Sequence, residues 1–428
     1  MLVALDPVPM IITSRATVPV SICDLRITIG DQNLPGRVLY LGLVVVITVD
    51  ASLLPTSITV PQTSQKVYKI GDEIELFALD DEHQLIQKKS QVSAINGIVT
   101  RQCSPPRWRI SNVEGISLLD CPYTNGGVLV DPQDKSIVAF WMIVSSQNSS
   151  GKNTTWKAGV SYDSYIRPII ESLQVGKELQ TRCCGWEFEQ MQLATAMNLG
   201  LDEERAAGIT DIAKAIGAVP RPIFVSGKLC PPSQNENDLK IGDVVLDING
   251  EAVGRMSDID KLSQLDTANV TVLRSGKELE ITLHPRLLPS QSTSRIACWA
   301  GAVVHETHPA VLEQTTPEFI RVSKKEEITN PEEGVYISSI MYGSPAIGNL
   351  RPVQWILEVD GRKVRNLDDI VEIIKSLKNR DDGEEYIRVR MMGRKGITNV
   401  VSVRLDSQFW PAWMLERKGD QWVRTELE

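Results

Sequence analysis

A chain of 428 residues is too long for one hydrophobic core and asks for two to four domains. With 42% hydrophobic and 23% charged residues it is neither disordered nor fibrous, and a net charge of −9 without a Lys/Arg block argues against nonspecific nucleic-acid binding. Seven cysteines, odd in number and without a C-x-x-C, favour free thiols in a reducing compartment over a disulfide framework or a zinc site.

In chain order, residues 8–144 read as short β runs with turn signals between them: Pro9–Ile12, Val18–Ile22, Arg26–Ile29, Arg37–Leu41, Leu43–Val49, Glu73–Phe77, Ser93–Thr100, Ser117–Leu119, Val128–Val130 and Ile137–Val144. Ten or so strands in that length suit two small barrels. The longest apolar run, Val38 to Val49, is far short of a membrane span and reads as buried strand. Tyr165–Leu173 is expected as a terminal helix, and Glu187–Leu201 also carries helical spacing.

From about 220 the order is strand, strand, short helix, hairpin. Pro220–Ser226 is the first strand; Val244, Leu246 and Ile248 then alternate onto one face of a second. Ser257 is expected to cap a short helix through Leu265, and Asn269–Arg274 with Leu279–Leu283 closes as a hairpin. The same order returns as an internal repeat: Gly334–Ile340, then Val353–Val359, then a helix with Leu367, Ile370, Val371 and Ile374 on one face, then Arg388–Met392 and Val400–Leu405. Thr315–Glu333 reads as a polar surface excursion, and the aromatic tail Phe409–Trp413 as packing back onto the last module.

The chemistry turns on Asp120-Cys121-Pro122-Tyr123-Thr124-Asn125-Gly126-Gly127, a glycine-pair loop leading into a hairpin about Pro132-Gln133-Asp134. It resembles the nucleophile loop of trypsin-like proteases of the HtrA type, in which Gly-Asn-Ser-Gly-Gly holds a serine among backbone N–H groups. Lys69-Ile70-Gly71-Asp72-Glu73-Ile74 and Ile95-Asn96-Gly97-Ile98-Val99-Thr100 resemble the segments before that loop. The repeated cores, 239–250 and 343–361, look like the PDZ domains of the same proteases. More narrowly, residues 17–28, Pro35-Gly36-Arg37-Val38, Pro106–Asn112 and Phe409-Trp410-Pro411 are similar to the second half of the fungal nuclear pro-apoptotic HtrA-like serine proteases. In that family an active protease with PDZ domains precedes a degenerate one.

The resemblance implies a mainly β fold with some α. A degenerate trypsin-like double β-barrel at 1–178 is followed by PDZ-like α+β domains at 179–290 and 295–408 and an aromatic tail at 409–428. Aligning the glycine pair puts Asn125 in the serine position and Tyr123 where the family has a glycine. An amide is no substitute for an activated hydroxyl, and Tyr123 disfavours the backbone of an oxyanion hole. The hydroxyls of Thr124 and Ser117 lie nearby but unassisted. Of the histidines at 83, 284, 305 and 308, only His83 falls among the barrel strands, and it comes after the region Val44–Leu54 in which the family's base would lie. That region holds Asp50 and Ser52 but no imidazole. Catalysis, a metal and a cofactor are therefore not expected.

Binding is expected instead. By analogy with PDZ grooves, Cys184-Gly185-Trp186-Glu187 and Trp299-Ala300-Gly301-Ala302 would hold a peptide carboxylate, while Leu367, Ile370 and Ile374 would wall the second groove. The expected partners are C-terminal or extended peptide segments and the catalytic half of the same protease, with no nucleic acid and no membrane; a homo-oligomer is left open. The family points to the nucleus, with the cytoplasm also open, and to roles in proteolysis, apoptosis and lipid homeostasis. The alternatives are an active serine endopeptidase with unconventional residues and an adaptor unrelated to proteolysis.

Overall fold

The structure, a computed structural model, describes residues 1–18, 22–98, 112–122, 124, 126–147, 153–176, 182–228, 238–287, 293–307, 334–377, 386–393, 395–419 and 421–427. It is mainly β, and its described residues fall into two compact units, residues up to Leu288 and those from Pro289 onward.

The first unit opens with a five-stranded antiparallel sheet, in the order β1 (Leu2–Ala4), β2 (Met10–Ser14), β5 (Val44–Val49), β4 (Gln32–Leu41), β3 (Leu25–Ile29). All six residues of β5 are buried, as its unbroken apolar run requires of a central strand. A second lobe closes into a six-stranded barrel, β10 (Ile137–Gln147), β11 (Asn153–Ser161), β8 (Val113–Leu118), β7 (Leu85–Ile98), β6 (Glu73–Leu79), β9 (Gly127–Val130) and back. The expected double-barrel class is thus met by one closed barrel and one open sheet among the described residues. Helix α1 (Arg167–Gln174) follows, where a terminal helix was expected.

Residues 182–287 form the first PDZ-like module, whose two ends meet as the antiparallel pair β12 (Arg182–Cys183) and β19 (Arg286–Leu287). Its main sheet runs β13 (Trp186–Gln190), β14 (Ile223–Lys228), β15 (Val244–Ile248), β17 (Ala268–Arg274), β18 (Lys277–Leu283), with β16 (Glu251–Ala252) beside β15. Helices α2 (Leu193–Asn198) and α3 (Glu203–Ala215) lie between its first two strands, and α4 (Met256–Asp260) follows β16. The helical reading of Glu187–Leu201 fails at its start. Trp186 and Phe188 are buried in the core while Glu187 and Glu189 lie on the other face, so the period there is two and not 3.6. Ser257 is not the cap of α4 either: the helix begins one residue earlier, with Asp258 accepting from the backbone N–H groups of Gly254 and Arg255.

The same four residues, Lys-Ile-Gly-Asp, make the same turn twice. At 69–72 the Asp72 carboxylate accepts from the Lys69 N–H at 2.9 Å and Gly71 sits at φ +92°. At 240–243 Asp243 accepts from Lys240 at 2.7 Å with Gly242 at φ +97°. Asp243 is buried and also takes two hydrogen bonds from the Arg274 guanidinium, so its charge is both paired and bonded. The module does not stand apart from the barrel. Ile216, just after α3, joins the barrel's cluster with Tyr68 and Ile74, and the Ile70 N–H donates to its carbonyl at 2.9 Å.

The second unit is a nine-stranded sheet. Its path is β26 (Thr398–Arg404), β25 (Tyr386–Gly393), β23 (Gln354–Val359), β22 (Val335–Ile340), β21 (Ala302–Glu306), β20 (Arg295–Trp299), β27 (Trp413–Lys418), β28 (Gln421–Glu426), with β24 (Arg362–Lys363) on β23. Helix α5 (Leu367–Leu377) buries Leu367, Ile370, Val371, Ile373 and Ile374. The tail does pack back, as strands: β27 pairs with β20, and Ala412 and Leu427 enter the core. The expected excursion Thr315–Glu333 lies outside the described residues.

The turn between β20 and β21 depends on one glycine. Gly301 has φ +80°, and a Cβ built there would overlap the Ser344 side chain and approach the Trp410 ring. Gly301→Ala should therefore destabilise the second unit by about 2 kcal/mol or more, read as a lower denaturant midpoint by tryptophan fluorescence. Adding Ser344→Gly should recover part of that loss, because it relieves the overlap but not the backbone strain.

Candidate functional site

The loop that carries the protease resemblance leaves β8 and enters β9. Lys88 pairs with Asp120 at 2.8 Å, and the Lys157 ammonium donates to the Pro122 carbonyl at 3.0 Å, so the first part of the loop is tied to the barrel. Thr124 is wholly buried, with no hydrogen-bond partner for its hydroxyl among the described residues. Gly127 pairs with Ala78 on one side and Trp141 on the other, and a Cβ there would overlap the Phe77 carbonyl oxygen. Tyr123 and Asn125 lie outside the described residues.

No described histidine is built into this loop. His83 sits at φ +61° in the exposed turn between β6 and β7; because Ala78 pairs with Gly127, that turn leaves the barrel at the loop's end. There its backbone N–H donates to the Asp80 carbonyl and closes the turn. His284 meets Thr267, and His305 is buried in the second unit with its Nδ1 donating to the Glu306 carbonyl, burial holding its pKa low. His308 lies outside the described residues. Where the family's base was sought, Asp50 caps a short helical turn, accepting from both the N–H and the hydroxyl of Ser52. Ser117 is a half-buried residue of β8 paired opposite Ala94. What the barrel retains is structural: beyond β9, Asp131 accepts from the Gln133 N–H at 2.9 Å, the Tyr68 hydroxyl at 2.7 Å and Lys66 at 2.9 Å.

The peptide-binding expectation meets two different geometries. In the second unit Trp299 is buried, and Ala300 and Gly301 turn β20 back onto β21, so that Ala297, Cys298 and Trp299 pair with Val304, Val303 and Ala302. With β22 on its other side, β21 has no open edge at these residues. The groove expected between β21 and α5 is filled, because α5 packs on β20 as well as β21. Leu367, Ile370 and Ile374 are core residues with no exposed surface, so they do not wall an open groove. Sequence periodicity finds the apolar face of α5 but cannot tell a groove wall from a core.

In the first module the edge is different. β13 is the last strand of its sheet, turning in at Gly185 with φ +79°, and Trp186 anchors it through an indole N–H to Asp238 at 3.2 Å. Beside this edge stands a residue that the sequence marks only as part of a family segment. Asn112, immediately before β8, donates from Nδ2 to the Trp186 carbonyl at 3.0 Å and accepts at Oδ1 from the Phe188 N–H at 3.1 Å.

A closed β-barrel lobe followed by repeated PDZ-like modules is what the resemblance to HtrA-type serine proteases leads one to expect, and the chain is similar in sequence to longer proteins named as serine proteases. Its relatives include proteins each named a pro-apoptotic serine protease, from Neosartorya fischeri (25% identical over 416 residues), Coccidioides immitis (26% over 416) and Yarrowia lipolytica (22% over 424). The matches cover 94%, 94% and 97% of this chain but only 38%, 38% and 41% of the relatives, so the chain spans about two fifths of their length. No family model matches the chain. Solved structures similar to it include the HtrA-type protease AlgW with a decapeptide, at TM-score 0.42 and 14% identity over 67% of this chain and 82% of that one. Another is AlgW with a tripeptide, at TM-score 0.41 and 16% identity over 67% and 89%.

The acid behaviour of the barrel follows from Asp131. The Gln133 N–H first, then the Tyr68 hydroxyl and Lys66, bring its pKa down to about 2. A folded-state value below that of the unfolded chain stabilises the fold fully above about pH 4, and the stabilisation is lost as pH falls toward 2. Asp131→Asn should lower stability at pH 7 and flatten the decline between pH 4 and pH 2, measured by urea unfolding across that range.

Proposed function

We propose that this chain is a non-catalytic, regulatory and scaffolding portion of an HtrA-type serine protease, one that binds extended peptide segments of other proteins. The observation that carries this reading is a nucleophile-type loop without chemistry: Asn125 stands in the serine position, the neighbouring Thr124 hydroxyl is fully buried, and no described histidine is bonded into the loop. Acyl transfer needs a nucleophile and a base within hydrogen-bond reach of each other. The two-fifths coverage of longer relatives supports placing the missing catalytic residues on a separate stretch, so the partner of first choice is the catalytic half of the same protease.

Peptide binding is supported by the PDZ-like order of the first module, in which β13 is the terminal strand of the sheet. The relatives' names support a role in apoptosis. A nuclear location and a link to lipid homeostasis follow from the family resemblance alone; fractionation of cells expressing the tagged chain tests the first. The reading of an active endopeptidase would rest on Thr124, and a wholly buried hydroxyl with no base beside it among the described residues opposes it.

Purified chain should not hydrolyse casein above a buffer control. Asn125→Ser should be equally inactive, because a hydroxyl is restored without its base. Time-dependent cleavage by the purified chain that disappears in Thr124→Ala would overturn the non-catalytic reading.

A further inference from the structure

The nine-stranded sheet of the second unit has two ends, and they are built differently. At one end β28 carries Arg424 and Glu426, paired with each other at 2.8 Å. At the other end β26 reads Thr-Asn-Val-Val-Ser-Val-Arg, pairs with β25 without a register shift, and holds no proline and no charge before Arg404. Five of its seven residues are exposed; Val400 is 61% exposed and Ile397, just before the strand, 70%. Natural edge strands usually carry a charge, a proline or a bulge that stops another strand from adding. Residues 398–403 have none of the three.

The register decides which backbone groups are on offer. The Gly393 N–H donates to the Ile397 carbonyl at 2.9 Å, which makes these two a hydrogen-bonded pair. Because such pairs alternate along an antiparallel ladder, Asn399, Val401 and Val403 turn their N–H and C=O groups toward β25. Thr398, Val400 and Ser402 present theirs on the open side, and all three residues are exposed. A strand of the same sequence fits this row when laid antiparallel with Val400 opposite itself. Thr398 then meets Ser402 of the copy and Ser402 meets Thr398, each pair exchanging N–H···O=C bonds in both directions. Every residue across the seam from Thr398 to Ser402 is neutral, and Val400 covers its own counterpart. Arg388 and Arg390 of β25 stand three strand spacings, about 14 Å, from their copies, beyond a screening length of about 8 Å. Arg404 comes opposite Gly396 beside the exposed Lys395, so like charges approach only at the two ends, where salt screens them.

We propose that β26 is a self-association edge, along which a second copy of this chain adds antiparallel about a two-fold axis at Val400. Such a contact uses the same edge on both copies, so it closes at two. A head-to-tail join of β26 to β28 would instead leave an edge open at every step and grow into a fibre, and Arg424 and Glu426 oppose it. One strand pair lies at the small end of the range for specific interfaces, so the dimer is weak and its population follows concentration. The edge belongs wholly to the second unit and asks nothing of the first module or of the barrel loop.

The test uses the full chain. Sedimentation velocity from about 1 to about 200 µM is expected to show monomer passing to dimer, with no larger species and a tighter pair at higher salt. Amide hydrogen exchange over the same range should show the Thr398, Val400 and Ser402 N–H groups gaining protection with concentration, while Asn399 and Val401 are protected throughout. Val400→Pro removes only an outward N–H, which an edge strand tolerates, and Val400→Lys sets two ammonium groups against each other on the axis without touching the backbone. Both should associate at least about tenfold more weakly than the parent, with an unchanged denaturant midpoint, and a Val400→Pro that fails to fold leaves the decision to Val400→Lys. Val423→Lys on β28 should associate like the parent. A monomer at every concentration overturns the proposal, as does a dimer that survives Val400→Lys or leaves the three amides unprotected. Growth beyond two copies would mean β26 joining β28 and overturns it too. Protection of the three amides in a monomer only when a heptapeptide of alternating Thr and Val is added would assign the edge to strands of other proteins and overturn self-association.

Discussion

A strand that ends a sheet leaves a row of N–H and C=O groups with no partner, and every part of this molecule is shaped by how that row is covered. The barrel lobe has no such row, because β9 meets both β6 and β10 and closes the circle. The second unit moves the problem outward: β20 covers β21, β27 covers β20, and β28 is left as the last strand, short and largely exposed. Its charged residues, Arg424 and Glu426, pair with each other beside that edge, which disfavours addition of a further strand. In the first module Asn112 of the neighbouring lobe bonds the Trp186 carbonyl and the Phe188 N–H on the terminal strand β13.

This explains why the barrel and the first module form one compact unit while the second module repeat stands as its own. A domain whose edge is satisfied by its own strands needs no neighbour. A domain whose terminal strand bonds Asn112, and whose helix is anchored through Arg255 to Glu114, leans on the barrel. The Arg255–Glu114 pair is largely shielded from water, so it resists screening better than an exposed surface pair would. Its partners also share the Ser257 N–H, which makes it part of the start of α4 and not an ornament on the surface.

Much of the fold was legible because local rules agreed with the tertiary result. The strand pattern of 26–49 and the hairpin through Asp131–Ser136 each need only neighbours in sequence. The failures share a cause. Trp186–Gln190 carries two buried aromatics separated by a glutamate, a pattern that an adjoining helix at 193–198 disguises as a longer helical stretch. Ile370 and Ile374 fall on the apolar face that periodicity finds, yet whether that face meets a ligand or a strand depends on Arg295–Trp299, some seventy residues earlier. The bonding role of Asn112 was invisible for the same reason: its partners, Trp186 and Phe188, lie more than seventy positions away, and nothing in its own neighbourhood announces them.

The loop at 120–127 shows that part of a protease-like signature has a structural reason of its own. Gly127 is required where it stands because the strand is squeezed between Ala78 and Trp141, with the Phe77 carbonyl occupying the space a side chain would need. That requirement comes from barrel closure alone. It would hold with a serine, an asparagine or any other residue two positions earlier. The glycine pair that first suggested a protease therefore reports the tightness of the barrel, and only the residues beside it bear on catalysis. Those residues point away from it: the Thr124 hydroxyl is packed into the interior, and Asp50 spends its acceptor capacity on Ser52. The same barrel also has to present β8 correctly, because Asn112 and Glu114 at its start bond to Trp186 and Ser257 of the neighbouring module.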